Sequence, residues 1–195
     1  FINHGYATET SAALTKVALV GATALEFGGD VSLSRTGSND LALATGDRFK
    51  YDPPGCLARR TTLLTLTTST WTAIPMNASE DFDPFAFHST GTNPSRFTVP
   101  TGWTGTYLLT GHASFDASAA GNRRLFGWGL NGASPVATEH VTYAPSASIW
   151  TMAVTTVMEL AAGDYVELMA WQDSGGNLDI AADSYASILY VGERV

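Results

Sequence analysis

Glu80, Asp81 and Asp83 form the densest group of carboxylates in the chain. Oxygen ligands gathered on one loop are what a calcium ion takes, and paired carboxylates flanking a bond can run glycosidic acid-base chemistry. Calcium suits this segment better, although the spacing is not that of an EF-hand loop; the plain alternative is a solvated acidic turn. His4, His88, His112 and His140 show no His-x-x-x-His spacing, and His112, alternating with Ser114, reads as a structural histidine on a strand. No Gly-x-Ser-x-Gly elbow occurs, and Gly127-Trp128-Gly129 falls within a predicted strand rather than a phosphate-cradling loop. Cys56 is the only cysteine, so no intrachain disulfide forms; it reads as a small apolar residue rather than a nucleophile. We therefore expect no catalytic residue, no enzyme activity and no cofactor, with Glu80, Asp81 and Asp83 as the candidate calcium ligands.

Tyr143 and Trp150 flank Pro145-Ser146-Ala147-Ser148, a predicted loop at one end of the fold. Exposed rings on such a loop suit stacking on a sugar or apolar contact with a receptor, which makes these two the receptor-contact candidates. The alternative for Trp150 is that it opens the next strand and faces inward.

These residues sit in a chain of 195 with 45% hydrophobic and 14% charged residues, enough apolar surface to fold but with a surface built largely from Thr, Ser, Ala and Gly. That composition suits β assemblies partly covered by neighbouring subunits. The net charge of −8 and the isolated basic pairs Arg59-Arg60 and Arg123-Arg124 argue against a nucleic-acid partner and against simple electrostatic docking on an anionic membrane. Residues 17–25 are apolar but begin too far into the chain for a signal segment, lack a charged flank, and are too short to span a bilayer, so no membrane insertion is expected. The chain starts at Phe1, and whether that marks a fragment or a processing boundary is open.

Residues 1–24 are Ala- and Thr-rich with weak periodicity. Beyond them, Leu25 alternates with Phe27, Val31 and Leu33 with Arg35, and Leu41 with Leu43, separated by Gly- and Asn-rich turns. Strands this short bury little alone, so they belong in a repeat or wrapped around sister chains. Asp52-Pro53-Pro54-Gly55 is the clearest boundary, because consecutive prolines donate no ladder hydrogen bonds. We place an N-terminal stem or attachment segment at residues 1–56 and a head at 57–195. In the head, Leu64 and Leu66 share a face, and strands are predicted at Trp71–Ile74, Ser95–Val99, Gly105–Ser114, Arg123–Leu130, Ile149–Leu160, Tyr165–Gln172 and Tyr185–Arg194. With no helical period between them, the class is all-β, a sandwich, barrel or jelly roll. Pro100 ends a strand, Gly105 reverses the chain so that Tyr107 and Leu109 point inward, and Asn131-Gly132 and Gly163-Asp164 supply tight turns.

Five segments fall in an order similar to that of C1q/TNF-like domains, particularly those at the ends of phage tail proteins. They are EDFDPFAFH (80–88), SRFTVPTGWTGTYLLTG (95–111), GNRRLFGWGLNG (121–132), AAGDYVELMAWQDSGGN (162–177) and the closing SILYVGERV. Gly102-Trp103-Thr104-Gly105-Thr106-Tyr107 departs from the pattern as an enlarged turn after Pro100. Residues 29–49 resemble the short repeat of phage tail-fibre stems. The resemblance implies a C1q/TNF-like jelly-roll sandwich with a short N-terminal β stem segment, homotrimeric, packed around a three-fold axis by aromatic and aliphatic side chains. Tyr107, Phe126, Trp128, Trp171 and Tyr190 are divided between core and interface in a way periodicity alone does not resolve.

The expectation is a structural virion fibre, spike or minor tail protein, located on the virion or extracellular, whose trimeric head binds a host-surface glycan or protein. The N-terminal segment would join it to other tail or capsid proteins. The alternatives are a capsid or tail decoration or trimerisation cap without receptor binding, and, further off, a polysaccharide-degrading enzyme.

Overall fold

The computed structural model describes residues 24–27, 31–35, 41–43, 54–135, 139–143 and 148–193. The chain divides into two compact units, Phe1–Tyr51 and Asp52–Val195. The reading of residues 1–23 as a lead-in segment lies outside the described residues. In the first unit the predicted alternations form β1 (Ala24–Phe27), β2 (Val31–Arg35) and β3 (Leu41–Leu43). They make one antiparallel sheet whose register sets Leu25 opposite Leu33 and Leu33 opposite Leu43.

The second unit begins its first strand, β4 (Gly55–Arg59), at the boundary turn itself, two residues before the expected start of the head. There follow β5 (Leu64–Leu66), β6 (Thr72–Ala73), β7 (Ser79–Phe82), β8 (Arg96–Thr98), β9 (Gly105–Phe115), β10 (Arg123–Leu130), β11 (Glu139–Tyr143), β12 (Trp150–Leu160), β13 (Tyr165–Gln172), β14 (Leu178–Ile180) and β15 (Tyr185–Gly192). Among the described residues no helix occurs, and all pairings are antiparallel. One sheet runs β11-β10-β13-β6, with β8 also on β13; the other runs β5-β14-β9-β15-β4-β7, with β12 along the free side of β9. Residues 79–82, expected as an acidic loop, are an edge strand, and Tyr143, expected in a loop, is the last residue of β11.

The core lies between the two sheets and follows from period-two alternation. Along β9, Tyr107, Leu109, Ala113 and Phe115 are buried while Thr106, Leu108, Thr110 and His112 are only partly so. Met152, Val154 and Leu160 of β12, Ala186 and Ile188 of β15, and Cys56 and Ala58 of β4 join them. The facing sheet contributes Phe97, Phe126, Trp128, Val166, Leu168 and Ala170. Each large side chain here contributes about 1.5–3 kcal/mol through removal from water. At Gly111 the two layers come close together: a Cβ there would stand 2.4 Å from Leu168 Cδ1.

Turn chemistry closes one end. Asn131 and Gly132 take φ of 50° and 81°, the left-handed pair a tight turn requires. Asn131 Nδ2 donates to Asp164 Oδ1 at 2.8 Å and its Oδ1 accepts from the Tyr165 N–H at 2.9 Å, so this turn and the one before β13 are locked together. At Gly105 a Cβ would lie 2.5 Å from the Gly192 carbonyl oxygen, so only glycine allows β15 to bulge past the start of β9.

Candidate functional site

The acidic segment does not converge. Asp81 accepts from Arg59 Nε at 2.8 Å and Nη2 at 2.6 Å, and that guanidinium holds its carboxyl below the usual carboxylate range. Glu80 Oε1 turns to His88 Nδ1 at 2.8 Å. Asp83 accepts the backbone N–H groups of Phe87 and His88 at 2.8 and 2.9 Å. Three carboxylates are thus drawn to three different donors, and among the described residues no group of three or more His, Cys, Asp or Glu could hold a metal ion. What the segment does is fasten residues 83–88 against β4. Cys56 is sealed beneath it: burial first, then the charges of Asp83 and Glu80, push its thiol far above the ordinary value. It stays protonated and is no nucleophile.

The receptor-contact candidates lie at the end of the sandwich away from Pro54. Pro54 accepts from Tyr190 N–H at 2.9 Å beside the start of β9, whereas Trp150 pairs with Phe115 at the finish of β9. Trp150 opens β12 with 36% of its surface exposed, next to Ile149 at 62%. Register sets Tyr143 opposite Arg123; its side chain lies outside the described residues. Of the other aromatics, Tyr107, Phe126 and Trp128 are core and Tyr190 packs against it. Trp171 stands on the outward face of its sheet, with the Arg123 guanidinium 5.2 Å from the ring centroid.

A further feature, whose location on the fold sequence reasoning did not identify, is the outward face of β12, β9, β15 and β4. Register aligns Val157, Leu108 and Leu189 in one row across it, Thr155, Thr110, Ser187 and Leu57 in the next, and Ala153, His112, Tyr185 and Arg59 in a third. Phe82 extends the second row on β7. Val157 is 60% exposed and Phe82 36%. Four of its hydroxyls pair with one another, Thr110 Oγ1 with Ser187 Oγ at 2.6 Å and Ser114 Oγ with Thr151 Oγ1 at 2.9 Å. Charge is confined to its margins, at the Arg59–Asp81 pair and at Glu159. A face of aliphatic and self-paired hydroxyl groups loses little on leaving water. Its signal in WTMAVTTVMEL is slight, because the outward positions are Thr151, Ala153, Thr155, Val157 and Glu159 and only Ala153 and Val157 of these are apolar.

No protein-family model matches the sequence, and no curated protein matches it. Solved structures do match. The globular domain of a zebrafish complement 1qA protein aligns with a TM-score of 0.53 and 15% identity, covering 72% of this chain and 99% of its own. Murine APRIL aligns with a TM-score of 0.50 and 11% identity, covering 72% of this chain and 100% of its own. Sandwich topology, burial and these likenesses agree on one fold: the described residues between 54 and 193 form an all-β jelly-roll sandwich of the C1q/TNF-like type.

Proposed function

We propose that the chain is a non-catalytic fibre or spike protein whose heads associate as a homotrimer through the outward face of β12, β9, β15 and β4, and whose far end contacts a host-surface molecule. The observation that carries the reading is that face itself. It sets Val157, Leu108 and Leu189 side by side, keeps its charge at the margins, and already pairs the hydroxyls of Thr110 with Ser187 and of Ser114 with Thr151, so a second copy can cover it while stranding few polar groups. The resemblance to C1q/TNF-like heads of phage tail proteins supports three copies, a virion location and a short stem preceding the head. Trp150 and Ile149, exposed at the end remote from Pro54, support contact at the tip.

Binding of the purified full chain to host cells tests the recognition half. Trp150→Ala should lower cell binding at least about tenfold while the assembled mass is unchanged. Equal binding by the variant would remove Trp150 from the contact, and no binding by the wild-type assembly would leave a decoration or trimerisation cap.

A further inference from the structure

We propose that protonation of His112 parts the subunits, making the head assembly acid-labile; this rests on the self-association inferred above. His112 stands in the third row of the outward face, its ring stacked on Tyr185 with centroids 4.8 Å apart and 8° between planes. Its Nδ1 is buried there without a hydrogen-bond partner. A ring nitrogen in that position carries a lone pair at modest cost. A proton on it is a donor with no acceptor.

The face of Tyr185 attracts a cation, but none of the packed elements offers that nitrogen an acceptor. On β9 the neighbours are Thr110 and Ser114, whose hydroxyls are engaged with Ser187 and Thr151. β12 sets Ala153 opposite, and β15 supplies Tyr185. Past Tyr185 stands Arg59, a second cation 5.8 Å from that ring, with Asp81 already committed to it. Glu159 lies at the opposite end of the β9–β12 pairing, Asp116 follows the end of β9, and Asp183 is exposed in the turn before β15. In a free head the protonated ring can swing off Tyr185 into water; on an occupied face it cannot do so without separating the subunits. The dissociated state therefore binds the proton more strongly, and by linkage acid favours dissociation.

Sedimentation equilibrium of the full chain at pH 8 and pH 5, beside His112→Gln and with circular dichroism to follow the fold, tests this. Expected is a three-chain mass for both proteins at pH 8. At pH 5 the wild type should show a dissociation constant raised at least about tenfold with its β spectrum intact, and His112→Gln should keep its mass. His112→Phe, which retains a ring on Tyr185, replaces Gln if that variant fails to assemble at pH 8. A wild type that holds its mass at pH 5, an acid-labile variant, or loss of the β spectrum together with mass would each overturn the switch while leaving the trimer standing. A single-chain mass at pH 8 overturns the trimer, and the switch with it.

Discussion

His88 bridges Glu80 and Pro94: its Nδ1 lies 2.8 Å from Glu80 Oε1 and its Nε2 3.0 Å from the carbonyl oxygen of Pro94. The imidazole is fully buried against Phe97, with ring centroids 4.8 Å apart, and the pair ties β7 to the loop that follows it. Glu80→Ala should cost about 1–3 kcal/mol, since it leaves a buried ring nitrogen unpaired. Glu80→Gln, whose amide can donate to a neutral Nδ1, should cost clearly less. Urea unfolding of the two variants checks the order, and equal losses would remove the histidine contact as the cause.

Gly111 and Leu168 interlock across the sandwich. Gly111→Ala should destabilise the head by about 1–3 kcal/mol through overpacking. Leu168→Ala opens space beneath that position, so the double variant should fall short of the summed single losses. A double-mutant cycle that is strictly additive would mean the two layers do not meet there.

Asp164 carries a pH signature. The hydrogen bonds from Asn131 and from the Ala161 N–H lower its carboxyl below the ordinary value, against a smaller opposing effect of burial. A depressed folded-state value means that its stabilisation is present above the unfolded carboxyl range and is lost as pH falls through the folded value. Asp164→Asn should therefore lower Tm at pH 7, and the gap to wild type should close as pH drops below about 3. A gap independent of pH would assign the loss to shape rather than charge.

Cys56 should resist thiol reagents in the native protein at pH 8 and react fully once denaturant is added, because it is buried and its thiol is held protonated. Rapid labelling of the folded chain would contradict its place in β4.

Much of the sandwich was legible because its long strands bury one face each. The spans predicted for β10 and β13 match residue for residue, and β9 is short by one. The strands that escaped had physical reasons to. β7 is an edge strand exposed at every position, so SEDF carries no apolar alternation. β4 hides behind Pro53-Pro54, and β14 has only three residues. The carboxylates of 80–83 were legible as a cluster but not in their allegiance, because Asp81 is claimed by Arg59, 22 residues away, and that partner is set by the β4–β7 register. The outward face was missed for a related reason. Leu108, Val157 and Leu189 come from three strands and become neighbours only once the pairing is known.

The mass of the full chain in solution at pH 8 decides whether that face is covered by copies of itself. Sedimentation equilibrium should give three times the 20.6 kDa of one chain, and Val157→Lys with Leu108→Lys should reduce it to one chain while the β-sheet spectrum persists. A wild-type mass of a single chain, or a trimer that survives both lysines, would contradict assembly through the outward face of β12, β9, β15 and β4.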